Sequence, residues 1–64
     1  MDNIKLSVRA IAANLKISIE ELAKRCEINP AHLKQVSAGN VKMLAEDVHK
    51  ISAYTGIPAD NIVA

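Results

Sequence analysis

Within the stretch SIEELAKRCEINPAHLKQVSAG, residues 18 to 39, two helix-start signals follow in close succession. Ser18 with Glu21 three residues on is a capping box. The hydroxyl accepts a backbone N–H of the first turn, and the glutamate reaches back to the N–H of the cap residue. Asn29 followed by Pro30 is the second signal. Asparagine is a favoured N-cap, and proline at the first helical position forgoes an N–H that has no partner there. Leu22, Ala23 and Cys26 fall on one face of the first segment, and Leu33 and Val36 on one face of the second. Helices this short are unstable alone, so their apolar faces must meet each other and a third element. The spacing predicts a hairpin of two α-segments over a shared aliphatic core.

The remaining elements follow from the same reasoning. Ser7 caps a first helix through Leu15, with Val8, Ile11, Ala12 and Leu15 at core spacing; residues 2 to 6 either extend it or precede it as an arm. The hairpin helices run from Ser18 to Cys26 and from Pro30 to Ser37. Glu27 and Ile28 form the turn between them, and Gly39 supplies a left-handed stop. A fourth helix covers Met43 to Thr55, turning Leu44, Val48 and Ile51 inward and stopping at Gly56. Ile57-Pro58 opens a last short helix with Ile62 toward the core. Half of the 64 residues are hydrophobic, Tyr54 is the sole aromatic, and no stretch alternates long enough for a sheet. The expectation is a single all-α domain over residues 1–64, near the lower size limit for a self-sufficient core.

Charge and chemistry exclude several classes. There is no glycine-rich phosphate loop, no HExxH helix and no paired carboxylates with an evident cleft, so an enzyme is not expected. Glu20-Glu21 and Glu46-Asp47 read as solvated helix starts complementing the dipole. Cys26, His32 and His49 fit no zinc spacing. Cys26 reads as a small buried hydrophobe and His49 as a surface residue, and no metal or cofactor is expected. One cysteine, no membrane-length apolar run and no secretory start point to a cytoplasmic protein. Net charge is +1, but residues 29–42 hold Lys34 and Lys42 and no acid. That window covers the second hairpin helix and the loop after it, where a nucleic-acid backbone would lie.

Taken with Gly56-Ile57 and the start IKLSVRAIAANLKIS, the two-cap stretch resembles the Cro/CI-type (lambda-repressor-like, XRE-type) helix-turn-helix family of phage and bacterial regulators. The resemblance implies a compact five-helix domain, commonly a homodimer, with the helix-turn-helix at helices 2 and 3. It also implies that the third helix docks in the major groove of double-stranded operator DNA. On that reading Gln35 pairs with adenine, Ala31 touches a thymine methyl, and His32 adds base or phosphate contact. Asn29, Lys34, Asn40 and Lys42 position the backbone.

Some positions depart from the family pattern. Ile19 stands where a phosphate-binding Gln is common, and Pro30 and Ala31 stand where polar base readers are common. Glu27 replaces the usual turn glycine, at about 1–2 kcal/mol of strain if its φ is positive. These departures raise an alternative. An antirepressor would keep the scaffold but mask a partner repressor through an apolar surface of Ile19, Pro30, Ala31, Val41 and Met43. Tyr54 either packs at a dimer seam or covers the core.

Overall fold

The computed structural model describes residues 4–63. In chain order these form β1 (Leu6–Ser7), α1 (Val8–Leu15), α2 (Ile19–Arg25), α3 (Pro30–Ala38) and α4 (Ala45–Thr55). A 3-10 turn (Ala59–Asn61) and β2 (Ile62–Val63) complete the described residues. The hairpin forms with both N-caps in place, but only half of the expected capping box is made: the Glu21 carboxylate accepts from Arg25 Nε at 3.1 Å, with no bond back to the Ser18 N–H among the described residues. Ser18 Oγ accepts the Glu21 N–H at 3.0 Å, and Asn29 Oδ1 accepts the Ala31 and His32 N–H groups at 2.8 and 3.2 Å. α2 and α3 pack on each other more extensively than any other pair of elements. Their fully buried Leu22, Leu33 and Val36 meet Val8 and Ile11 of α1 and Ile51 of α4 in one aliphatic core. Burying each such side chain contributes roughly 1.5–3 kcal/mol.

Three helices end in the same way. Lys16, Glu27 and Gly39 take left-handed conformations, with φ of 59°, 61° and 85°. In each case the left-handed residue donates its N–H to the carbonyl three positions back, and the next residue donates to the carbonyl five back. This is the Schellman closure. After α1 and α2 the following residue is isoleucine: Ile17 packs against the core and Ile28 is buried in it. The positive φ at Glu27 is the strained conformation that its position in the turn implied, and Lys16 shares it.

The five-helix, all-α expectation is overturned. The described chain has four α-helices, and the segment after Pro58 is a single 3-10 turn leading into a strand. Leu6 and Ser7 pair in parallel with Ile62 and Val63. The physical cause lies at both partners. An N-cap residue is extended (Ser7 has ψ of 161°), so the chain entering α1 already offers strand backbone. Ile62 and Val63 are β-branched and favour the same conformation. Asn61 Nδ2 donates to the Ile4 carbonyl at 2.6 Å and Lys5 Nζ to the Asp60 carbonyl at 3.3 Å, flanking the pairing. Residues 4–7 are therefore no extension of α1; residues 2 and 3 lie outside the described chain.

Two expected core residues also face outward. Leu15 is 41% exposed because the chain reverses at Lys16 and Ile17 packs on the core instead. Leu44 is 53% exposed because α4 begins at Ala45, leaving Leu44 as an extended cap residue off the helical face.

Candidate nucleic-acid interface

The surface of α3 is built by elimination. Leu33 and Val36 go to the core, so Ala31, Lys34, Gln35 and Ala38 form an exposed stripe at helical spacing. The loop after Gly39 continues it with exposed Asn40, Val41 and Lys42. No acid occurs in residues 29–42, although Glu20 of α2 reaches across. Its Oε1 lies 3.4 Å from Lys34 Nζ, and its Oε2 lies 3.7 Å from Lys24 Nζ. Both pairs are well solvated and weak, so a phosphate can displace Glu20 from Lys34 at small cost. Lys42 makes no ion pair among the described residues.

Gln35 and Asn40 are joined twice. The Asn40 backbone N–H donates to the Gln35 carbonyl at 2.9 Å, and Asn40 Nδ2 donates to Gln35 Oε1 at 2.8 Å. Asn29 and His32 are committed elsewhere. Asn29 Oδ1 caps α3. His32 is half-buried, and its Nε2–H donates to Asp47 Oδ2 at 2.7 Å.

Asp47 was not foreseen. Read from sequence as a solvated acid, it is only 5% exposed. The same Oδ2 that takes His32 also accepts the Leu44 N–H at 3.1 Å. Leu44 has no side chain able to cap α4, and a helix start without a cap side chain needs an acceptor from its own first turn. That was the available signal. The carboxylate thus ties the start of α4 to α3, and among the described residues no buried side-chain polar atom lacks a partner.

The alternative apolar surface is thinner than the sequence suggested. Ile19 and Met43 are half-buried and packed against the core, and Pro30 is half-buried. Ala31 and Val41 are exposed, and Leu44, expected in the core, joins them at the surface.

Away from α3, a shallow depression is lined by Arg25, Cys26, Glu27, Lys50, Ala53 and Tyr54. Its cations already have partners. Lys50 Nζ donates to the Glu27 carbonyl at 3.1 Å, and Arg25 donates to the Tyr54 hydroxyl at 3.0 Å and to Glu21. The Tyr54 hydroxyl, and then Glu21, raise the guanidinium's affinity for its proton. Burial pushes the Cys26 thiol up, which leaves it an unreactive packing group. Among the described residues no cluster of three or more His, Cys, Asp or Glu could hold a metal ion. No helix among them is long and apolar enough to cross a membrane. No protein-family model, curated protein or solved structure matches this chain.

Proposed function

We propose that the protein is a small cytoplasmic regulator of transcription that binds double-stranded operator DNA through the exposed face of α3. The observation that carries this reading is the acid-free run 29–42. It places Ala31, Lys34 and Gln35 on one solvent-facing stripe that continues into Asn40 and Lys42. Lys34 and Lys42 supply phosphate contacts and Gln35 with Asn40 the base contact, while Ala31 is small enough to let the helix approach a thymine methyl. Asn29 and His32 leave the contact set and become positioning residues, one starting α3 and the other fixing it to α4. The resemblance to Cro/CI-type regulators supports the same reading, with two copies placing their α3 helices about one DNA turn apart.

The test is a fluorescence-polarisation titration against duplex DNA over a range of salt. Binding should weaken steeply with salt, and Lys34→Ala and Lys42→Ala should each reduce the log–log slope by about 1. Failure to bind any duplex at low salt would defeat the reading.

The exposure of Val41 and Leu44, 42% and 53%, favours a second reading in which this loop docks on a partner repressor. Val41→Lys should abolish co-purification with a repressor encoded nearby while leaving the fold intact. Ile19→Glu is unsuitable as that test because Ile19 packs against the core.

A further inference from the structure

We propose that Gln35 and Asn40 act as one composite reader that selects adenine in the major groove, an inference that rests on the DNA-binding reading above. The three Schellman closures differ in the residue that follows the left-handed position. Where α1 and α2 end, the residue after the left-handed position is an isoleucine packed into or against the core. A hydrophobic contact at that position commonly accompanies the motif. Where α3 ends, the residue is Asn40. Its amide turns back to the Gln35 amide in the preceding turn, with both residues exposed. The packing contact is replaced by a polar pair on the face that carries the lysines.

Pairing two carboxamides has a fixed chemical outcome. Each amide carries an NH2 end with two donors and an oxygen with two lone pairs, and their mutual hydrogen bond engages the NH2 end of one and the oxygen of the other. With Asn40 Nδ2 donating to Gln35 Oε1, the ends not engaged in the pair are the Gln35 Nε2 donor and the Asn40 Oδ1 acceptor; the engaged ends keep one N–H and one lone pair, directed by the bond they already make. If both amides were turned over, the remaining groups would again be one donor and one acceptor, so the result does not depend on which end of each amide faces out. In the major groove adenine alone presents an acceptor beside a donor, N7 and the N6 amino group. Guanine presents two acceptors, thymine one acceptor with a methyl group, and cytosine one donor. A donor–acceptor edge therefore matches adenine and sets Oδ1 against O6 of guanine. The double tether of Asn40 to Gln35, through backbone and side chain, holds the edge in place before DNA arrives and reduces the ordering cost of binding.

The experiment is selection of binding sites from a randomised duplex pool by the intact protein, followed by affinity measurement on the selected duplex. The expected result is one adenine per half-site whose replacement by 7-deazaadenine, or by purine lacking the amino group, weakens binding about 5- to 150-fold. Gln35→Ala should erase that preference while retaining salt-dependent binding, and Asn40→Ala should admit guanine at the same position. Circular dichroism should show both variants folded, since only exposed side chains change. Wild-type binding that is indifferent to both base analogues, or a preference unaltered in both variants, would overturn the composite reader alone. Absence of binding to every duplex would overturn the DNA-binding reading, and the composite reader with it.

Discussion

α3 and α4 begin in opposite ways. Asn29 caps α3 from the expected position, with an exposed side chain that accepts two N–H groups of the turn it precedes. α4 has Leu44 at that position, and its cap comes from the inside. The buried Asp47 reaches back to the Leu44 N–H while holding His32 with the same oxygen. The first cap is a local arrangement, solvated and dependent on nothing beyond the next turn. The second places a carboxylate largely out of water, where its cost is offset by the two donors that converge on its Oδ2. One start is therefore replaceable, whereas the other makes the placement of α3 and the beginning of α4 a single event.

This difference can be broken or sharpened by measurement. Asp47→Ala should lose about 2–4 kcal/mol in urea unfolding, since it removes a cap and strands the His32 N–H at a half-buried site. A loss no larger than that of Asn29→Ala would erase the distinction. A double-mutant cycle of Asp47→Ala with His32→Ala should show coupling of at least about 1 kcal/mol. Asp47→Ala combined with Asn29→Ala should be additive within about 0.5 kcal/mol. Alone, Asn29→Ala should cost about 1 kcal/mol, the ordinary worth of an exposed N-cap. Smallest of all, Glu27→Gly should stabilise the turn before α3 by up to about 1 kcal/mol. It relieves the left-handed strain but adds freedom to the unfolded chain. An unchanged midpoint would mean that the strain at Glu27 is negligible.

What could be read in advance follows the same division. Ser18, Asn29, Gly39 and Gly56 act within about one turn of themselves, and each does in the fold what its local chemistry implied. Leu22, Leu33, Val36 and Cys26 are buried for the same reason, because helical spacing alone selects the face. Asp47 could not be placed that way, since its burial depends on His32, 15 positions earlier in another helix. Ile62 was read as facing the core and is buried there, yet the last helix expected around it is a strand whose partner sits at the other end of the chain. Of the candidate interface, the exposed stripe Ala31, Lys34 and Gln35 was legible from periodicity. The commitments of Asn29 and His32, and the Asn40 clasp, were not, because each depends on which neighbour a side chain meets.

The parallel pairing of β1 with β2 converts a row of short helices into a ring. Asn61 meets the Ile4 carbonyl across 57 positions, and closing a loop of that length costs about 3.5 kcal/mol of chain entropy beyond a constant. Four strand residues cannot meet that cost until the helices between them have docked, so the clasp belongs to the end of folding and to the beginning of unfolding. Amide hydrogens of Leu6 and Val63 should then exchange through an opening that leaves the α2–α3 pair intact. Val8, Ile11 and Ala12 of α1 follow β1 directly, so α1 is the first helix that a wider opening would reach.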